Sequence, residues 1–451
     1  MNSSNSENVR RKALAIYDYI SDHLYLNRPD MSVTDQDFNS ALLMSLLVGL
    51  CRGKALIIGE PGLGKTTSVE YVGALLHRIP LGTIWKAEVA GHPEQTEEKI
   101  VGRPDLGKLN LGEEVVVWSH FVLLPVKIVD EINRLPETKQ SMILNGVDRG
   151  NWEYLNDAVI NREYCLFATA NYQDRGTNTI IAPLMDRFDI LVESRHPGAN
   201  ISGLLGANGD GGMKLRHGEL EEAFGDVLSQ SMPYPERMRK LDALSDQFGD
   251  YLSKEGDIPS LTRDERLTAY DQKDRIPFAV DFNACLRVVI AELSFCHQYG
   301  QKRSGEFCEE GCHFNGYLCA KVTNCLSNRF PKSVRSLSRA LAWLLGDDVV
   351  GVQHLEAVLP FALAHRIQWR DPALAGCEKE HRNDPLEIHM AKKAVREMLR
   401  RYREQPQRFQ QALSVACRIA EGEILTPVAG DHPLFHEILR DLGRDAPDPE
   451  Y

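Results

Sequence analysis

The stretch "KALIIGEPGLGKTTSVEYVGALLHR", residues 54–78, decides the fold of this chain. Its centre is the Gly-rich segment "GEPGLGKT" at 59–66, in which two glycines with four residues between them are followed by Lys65 and Thr66. The apolar run "ALIIG" before this segment is typical of a buried strand, and "KTTSVEYVGALLHR" after it has the spacing of a helix. Strand, Gly-rich turn and helix in this order predict a loop that binds the phosphates of a nucleotide.

The predicted loop binds phosphate through its backbone. Glycines let the chain fold tightly, so that N–H groups and the positive end of the helix face phosphate oxygens. Lys65 would place its ammonium on the β- and γ-phosphates of ATP, and the Thr66 hydroxyl would ligate Mg²⁺. The predicted nucleotide-binding residues are Gly59, Glu60, Pro61, Gly62, Leu63, Gly64, Lys65, Thr66, Thr67 and, further along, Asp130. The alternative is a Gly-rich turn that matches the pattern by chance.

Three polar residues at the ends of later apolar runs complete the predicted site. "VKIVDE" ends in Asp130 and Glu131, about 65 residues after the loop. Asp130 would hold Mg²⁺ together with Thr66, and Glu131 would polarise the attacking water. Asn171 ends "CLFATAN" and would hydrogen-bond the γ-phosphate and that water. The alternatives are an ordinary helix cap for the acidic pair and a turn-forming role for Asn171.

The order of apolar runs predicts an α/β fold. The runs at 121–130 and 163–171 indicate central strands of a parallel sheet, and "RFDILVES" at 187–194 indicates a further strand. Residues 1–50 have helical spacing throughout, and most segments beyond about residue 218 do as well. We therefore predict a parallel sheet sandwiched by helices, followed by an all-α lid and a C-terminal helical extension.

Composition excludes several classes of protein. The formal net charge of −12 argues against a nucleic-acid surface along the whole chain. The longest clean apolar stretch, at 41–50, is about half of what a bilayer crossing needs. The N-terminus lacks an apolar signal core, so we expect a cytoplasmic protein without membrane contacts. Ten cysteines in such a chain indicate free thiols or metal ligands.

Shifts in composition predict five parts. These are N-terminal helices at 1–50, the α/β nucleotide-binding core at 51–197, a Gly-rich and acidic insertion at 198–265, a helical lid with a Cys-rich insertion at 266–370, and a C-terminal helical extension at 371–451. The Gly-rich run "GANISGLLGANGDGGMKLRHG" at 198–218 predicts a flexible loop or an insertion.

Taken in order, the motifs resemble those of AAA+ ATPases, and more narrowly those of the MoxR family. Beyond the phosphate loop, the resemblance rests on "GHPEQTEEKIVGR" at 91–103, "VDEINRLPETKQSMILNGVDRG" at 129–150, "APLMDRFDI" at 182–190, "FPKSVRSLSRALAWL" at 330–344 and "LPFALAHRI" at 359–367. It runs from about Ala41 to Arg370, with the Gly-rich insertion interrupting it.

The resemblance assigns catalytic roles to two arginines. Arg187, in "MDRF", would be an arginine finger that projects into the nucleotide site of a neighbouring subunit. Arg335, in "SVR", would reach the γ-phosphate from the lid of its own subunit. A guanidinium neutralises the charge that develops on the transferred phosphoryl group. The alternatives are a surface salt bridge for Arg187 and a capping or solvated residue for Arg335. A finger supplied by a neighbour implies a closed homo-oligomeric ring, of six subunits in such families.

The resemblance also implies a function. MoxR-like ATPases act as chaperone-like machines that remodel or mature a protein client, often with a partner that carries a von Willebrand factor A-type domain. The competing hypothesis is a nucleic-acid motor or a restriction NTPase of the McrB type, which shares the "DEINR" string. A third possibility is a regulatory subunit that binds ATP without turning it over. The retained Asp130, Glu131, Asn171 and Arg187 argue against it.

Two further features allow two interpretations each. Cys308, Cys312, Cys319 and Cys325 fall within eighteen residues and could hold a structural Zn²⁺, although the run around Cys319 and Cys325 favours a helix with buried thiols. The basic run "AKKAVREMLRRYRE" at 391–404 favours a solvated face or a contact with acidic neighbours over binding of nucleic acid.

Overall fold

The computed structural model describes residues 3–172, 179–205, 211–294, 296, 312–378, 380 and 383–443. The chain forms two compact units. The first comprises residues 1–275 and 343–346, and the second comprises 276–342 and 347–451.

All the described strands that pair with one another belong to the first unit. They are β1 Met31–Val33, β2 Gln36–Phe38, β3 Lys54–Ile58, β4 Val89–Ala90, β5 Gly102–Pro104, β6 Val116–Trp118, β7 Val126–Asp130, β8 Asn151–Tyr154, β9 Asp157–Ile160, β10 Cys165–Ala170 and β11 Ile190–Glu193.

The helices of the first unit are α1 Ser3–Tyr19, α2 Ser40–Cys51, α3 Lys65–His77, α4 Leu81–Ala87, α5 Glu97–Ile100, α6 Leu106–Leu109, α7 His120–Leu123, α8 Glu137–Arg149, α9 Ala182–Met185, α10 Ala199–Leu204, α11 Gly218–Ser229, α12 Tyr234–Lys254 and α13 Arg263–Arg275. The second unit contains α14 Val280–Ser294, most of α15 Arg329–Leu345, α16 Val352–Leu363, α17 Asp371–Glu378, α18 Leu386–Glu404, α19 Pro406–Ala420 and α20 Pro433–Asp441.

The core of the first unit is a parallel sheet of five strands in the order β11-β3-β10-β7-β4. Strand β10 lies at its centre, and all six of its residues are buried. Helices α2 and α3 pack against the sheet and are almost completely buried. The strands predicted in "ALIIG", at 163–171 and at 187–194 are confirmed, and with them the α/β fold class. Because the strands are parallel, their carboxyl ends share one edge of the sheet.

The predicted strand at 121–130 is wrong in its first half. Residues His120–Leu123 form α7, and β7 begins only at Val126. The Ser119 side chain accepts a hydrogen bond from the backbone N–H of Val122, which caps this short helix. Pro125, without an N–H, separates it from the strand. Strand β4 was not predicted, because two residues are too few to produce a pattern.

The prediction of helices throughout residues 1–50 is also partly wrong. Helices α1 and α2 are present, but β1 and β2 form an antiparallel hairpin between them. Thr34 and Asp35 make its turn with φ angles of 46° and 65°. A two-residue turn with both φ angles positive suits the twist of a hairpin, although Asn or Gly is the usual residue there.

The segment predicted to be a flexible Gly-rich loop contains ordered structure. Residues Ala199–Leu204 are helical, and Gly211–Leu215 form a 3₁₀ helix with a buried Leu215. Residues 206–210 lie outside the described part of the chain. The helix that follows, α11, is tied to the core by Glu221, which accepts hydrogen bonds from Arg216 and from the backbone of Gly82. The Arg216 guanidinium holds the pKa of Glu221 below its usual value.

The second unit consists mainly of helices, as predicted. The basic helix α18 lies with its apolar face buried, and its charged face is paired with carboxylates. These pairs are Lys392–Asp384, Lys393–Glu380, Arg400–Glu404, Arg401–Glu292 and Arg403–Glu356. The interpretation as a contact with acidic neighbours is therefore confirmed for these side chains.

A buried carboxylate connects three elements of the second unit. Glu292 on α14 is fully buried and forms an ion pair with Arg401 of α18. Its other oxygen lies 3.1 Å from Nε2 of His432, whose Nδ1 accepts the N–H of Leu434 at the start of α20.

Within the described residues, no helix is both long enough and apolar enough to cross a bilayer.

Candidate nucleotide site

The Gly-rich loop lies between β3 and α3, at the carboxyl edge of the sheet. Gly59, Gly62 and Gly64 have positive φ angles of 151°, 79° and 71°. At Gly59 a side chain would also have no room, because a Cβ there would lie 2.6 Å from the carbonyl oxygen of Ser194. The loop can therefore fold closely against the end of β11 only with glycine at this position.

Lys65 begins α3 and points back into the loop. Its Nζ donates hydrogen bonds to the carbonyl oxygens of Gly59 and Glu60, at 2.9 and 2.8 Å, and to Oδ1 of Asn171 at 2.8 Å. Burial lowers the pKa of the Lys65 ammonium, while the carboxylates of Asp130, Glu131 and Glu60 act in the opposite direction. An ammonium held in this way can move to phosphate oxygens without leaving the loop.

Thr66 and Asp130 lie together, as predicted. The Thr66 hydroxyl donates to Oδ1 of Asp130 at 2.6 Å. A hydroxyl and a carboxylate side by side are the hard oxygen donors that suit Mg²⁺. The Thr169 hydroxyl also donates to Oδ1 of Asp130 at 2.6 Å, and it accepts the backbone N–H of Glu131 at 2.9 Å. Thr169 was not predicted; its signal is a hydroxyl inside an otherwise apolar strand, two residues before Asn171.

Glu131 and Asn171 are in direct contact. The side-chain amide of Asn171 donates to Oε1 of Glu131, and Nε of Arg134 lies 3.0 Å from Oε2. Glu131 has a φ angle of 49°, so the chain turns sharply directly after β7. The Asn133 side chain donates to the carbonyl oxygen of Asn171 at 3.2 Å, which ties this turn to the end of β10. Arg134 as a partner of Glu131 was not predicted.

A second pair of carboxylates lies near Asp130. Glu70, on α3, is buried and receives a hydrogen bond from the carboxyl group of Glu88. Burial, reinforced by the charges of Glu70 and Asp130, raises the pKa of Glu88 to about 8. A proton held on Glu88 at neutral pH limits the negative charge that accumulates beside Asp130. Neither Glu70 nor Glu88 was predicted from the sequence.

Arg187 lies at the opposite edge of the sheet from the phosphate loop. It follows α9 and precedes β11, where the backbone of Asp189 donates to the carbonyl of Lys54 at the start of β3. The five residues of β3 separate this point from the loop by about 13 Å, at about 3.3 Å per residue. Nε of Arg187 forms an ion pair of 2.9 Å with Asp148, at the end of α8.

Arg335 lies on α15 in the second unit. Its Nη2 donates to Oδ1 of Asn283 at 2.8 Å, and its guanidinium lies 4.7 Å from the ring centre of Phe278. Burial and the charges of Arg287 and Arg339 lower the pKa of Arg335. These contacts show a guanidinium held in place by aromatic and amide groups of its own unit.

The predicted zinc site is not supported by the described residues. Cys308 lies outside them, and the thiols of Cys312, Cys319 and Cys325 do not all lie within 4.8 Å of one another. The thiol of Cys319 instead donates to the carbonyl of Phe314 at 3.6 Å. Phe314 is buried against the ring of His436, so this segment has a small core of its own.

One group of three potential metal ligands is found among the described residues, at a different place. The ligand atoms of Cys377, Glu380 and His389 lie within 4.8 Å of one another. The ammonium of Lys393 lies 2.6 Å from Glu380 and 3.3 Å from the Cys377 thiol. A cation of the protein itself therefore already neutralises this group.

The site thus brings an ammonium, two hydroxyls, two carboxylates and an amide to the carboxyl ends of three adjacent strands. These groups can bind the phosphates of a nucleotide, hold Mg²⁺ and activate water. The class of protein defined by this fold and site is the P-loop nucleoside triphosphatases.

Comparison with known proteins narrows the class. Residues 54–188 match the AAA domain of the dynein-related subfamily, and residues 333–387 match an AAA lid domain. The chain therefore carries the AAA domain and the lid domain of an AAA+ ATPase. Comparison with curated proteins finds no match to the sequence.

Solved structures share the fold. One is a crystal structure of a Cytophaga hutchinsonii protein to which ATPase activity is assigned. It superimposes with a TM-score of 0.57 at 16% sequence identity, over 88% of this chain and 96% of that one. At this identity the likeness concerns the fold alone.

Proposed function

We propose that this AAA+ ATPase is a MoxR-like machine that forms a ring and uses ATP hydrolysis to remodel a protein client rather than a nucleic acid. 

The observation that supports this proposal is the position of Arg187 at the opposite edge of the sheet from its own phosphate loop, which suits a role in the nucleotide site of a neighbouring subunit. Two hairpins with exposed apolar side chains support the binding of a protein client. The resemblance of the sequence motifs to those of the MoxR family suggests a partner with a von Willebrand factor A-type domain.

In the proposed reaction, Lys65 and the loop backbone bind the phosphates of ATP. Thr66 and Asp130 would hold Mg²⁺, which neutralises phosphate charge when it is bound. Glu131 accepts the proton of the attacking water, and Asn171 orients that water against the γ-phosphate. Glu131 would exchange some of its contacts with Asn171 and Arg134 for this water.

The two arginines would complete the site from outside the loop. The length of β3, about 13 Å, separates its first residue, near Arg187, from the phosphate loop of the same chain, so we assign Arg187 to the nucleotide of a neighbour. Arg335 would approach from the lid of the same chain. Dependence on a neighbour makes turnover a property of the assembled ring, for which we propose six subunits.

Two hairpins of the first unit offer a surface for the client. The hairpin β5–β6 carries Leu106, Leu109 and Leu111, which are 64%, 42% and 80% exposed. The hairpin β8–β9 carries Leu155 and Ile160, which are 54% and 62% exposed. The Asn156 side chain donates to Glu114 at 2.7 Å, so the two hairpins meet. Clustered exposed apolar side chains are typical of a protein-binding surface.

The test uses the variant Glu131→Gln, which should bind ATP without hydrolysing it. We expect this variant to retain a client in ATP and to release it in ADP. The matched control adds Leu106→Ser, Leu109→Ser and Leu111→Ser to it, and should retain nucleotide but not client. Wild-type protein should then change the protease sensitivity of the purified client only while ATP is hydrolysed. Unchanged sensitivity during turnover would contradict remodelling.

A further inference from the structure

Ser194 contacts the phosphate loop from the end of β11. Its hydroxyl donates a hydrogen bond of 2.8 Å to the carbonyl oxygen of Leu63, inside the loop. The same oxygen lies 2.7 Å from the hydroxyl of Tyr25, and both side chains are buried. The Asn27 side chain in turn donates to the Tyr25 oxygen at 3.1 Å.

The donor and the acceptor can be assigned for each hydrogen bond in the series from Asn27 through Tyr25 and Ser194 to Leu63. A carbonyl oxygen can only accept, so the single proton of the Ser194 hydroxyl is directed at Leu63. Tyr25 must therefore donate its own proton to Ser194, and its oxygen is left to accept from Asn27. The result is a hydrogen-bond relay in which each group donates to the next, from residues 25–27 toward the phosphate loop.

The relay fixes the orientation of one peptide unit. In a trans peptide the C=O and N–H groups point in opposite directions, and no cis peptide bond occurs in the described chain. Because the Leu63 carbonyl points at Ser194, the N–H of Gly64 points away from Ser194 and from the end of β11. This N–H is one of the donors that a phosphate-binding loop requires.

The ring of Tyr25 supports the same peptide unit from outside. Gly64 has a φ angle of 71°, and a Cβ at this position would lie 3.0 Å from Cε2 of Tyr25. The ring therefore covers the loop where its backbone is left-handed. The Asn27 side chain also donates to the carbonyl of Arg195 at 3.2 Å, which holds residues 25–27 to the end of β11.

We propose that Ser194 and Tyr25 are positioning residues for the nucleotide: they hold the Gly64 N–H in its phosphate-binding direction by way of the Leu63 carbonyl. Without the Ser194 hydroxyl, the Leu63–Gly64 peptide unit can rotate and the loop must be ordered when nucleotide binds. Affinity for nucleotide then falls more than the rate of the chemical step, because Glu131 and Asn171 are not moved.

The experiment measures the Kd for ADP with Mg²⁺ by calorimetry, and KM and kcat for ATP, in full-length variants. We expect Ser194→Ala to raise the Kd about tenfold, as loss of one oriented hydrogen bond allows. Its KM should rise more than its kcat falls. Tyr25→Phe, which keeps the ring, should raise the Kd about threefold. Ser45→Ala is the matched control, since the buried Ser45 hydroxyl has no hydrogen-bond partner.

The double variant distinguishes the relay from a general structural role. Because the phenol acts only through the serine hydroxyl, Ser194→Ala with Tyr25→Phe should bind ADP as Ser194→Ala does. If the double variant raises the Kd by the product of the two single increases, the proposal is overturned. A Kd of Ser194→Ala within twofold of the wild-type value would overturn it as well, and Tyr25→Phe provides the same test if Ser194→Ala does not fold.

Discussion

Lys127 is buried in the sheet of the first unit, and the effect of pH on stability offers a quantitative test of that burial. It lies on β7, three residues before Asp130, and is completely buried. Its Nζ donates to the carbonyl oxygens of Phe121, Val122 and Leu124, at 2.5, 2.9 and 3.2 Å. The rings of Phe121, Trp152 and Tyr164 surround the ammonium, with centroids 5.3, 5.4 and 5.0 Å away.

Burial lowers the pKa of Lys127 from 10.5 to about 7, and Cys165 acts in the opposite direction. At about 1.4 kcal/mol per pKa unit, this corresponds to about 5 kcal/mol of destabilisation below pH 7, where the folded chain must keep the proton. Above pH 7 the folded chain releases the proton while the unfolded chain still holds it, so stability rises with pH up to about 10.5. Between pH 7 and pH 9 the expected gain is about 2 kcal/mol.

The assay compares urea unfolding of the wild type and of Lys127→Met at pH 6, 7, 8 and 9, followed by tryptophan fluorescence. The difference between their free energies of unfolding isolates Lys127, because all other groups titrate in both proteins. We expect this difference to shift in favour of the wild type by about 2 kcal/mol from pH 7 to pH 9. The exposed Lys99→Met should run parallel to the wild type. Parallel curves for Lys127→Met would refute the reasoning.

Three further predictions concern catalysis and the second unit. Arg187→Ala should abolish turnover, and mixing it with Lys65→Ala subunits should restore part of it; mixed rings that stay inactive would count against a shared site. Thr169→Val should lower kcat about tenfold with little change in ATP affinity, because Asp130 and the Glu131 backbone lose their common partner, whereas Thr169→Ser should retain activity. Glu292→Gln should destabilise the second unit by about 3 kcal/mol in calorimetry, because Arg401 loses its buried ionic partner. Glu404→Gln, at an exposed position, is the control. Equal melting temperatures of the two variants would contradict this role of Glu292.

The sequence predicted the parts of the site that depend on local order along the chain. The loop at 59–66, the acidic pair and Asn171 each follow an apolar run directly, so their positions at the carboxyl edge follow from a parallel sheet. Ser194 and Thr169 could not be predicted in the same way. Their roles depend on which strands are neighbours, and the order of strands in a sheet is not written in any one segment.

Lys127 shows a second limit of sequence analysis. It lies in a run that was interpreted as an apolar strand, where a lysine would be expected to reach solvent. Its burial depends on α7, which ends with carbonyl groups directed at the ammonium. Because α7 itself was predicted to be strand, the partners of Lys127 could not be anticipated. The β1–β2 hairpin was missed for a related reason, since Thr34 and Asp35 are unusual residues for its turn.

The ion pair between Arg187 and Asp148 has a consequence for assembly. If Arg187 serves a neighbouring subunit, a separate protomer keeps this guanidinium occupied with its own carboxylate, and joining the ring exchanges an internal partner for an external one. Partly exposed pairs of this kind contribute at most about 1 kcal/mol, so the exchange costs little and becomes easier as ionic strength increases. The ion pair thus holds the arginine in a separate protomer without preventing association, and the phosphates of a neighbour's nucleotide would compete with Asp148 for it.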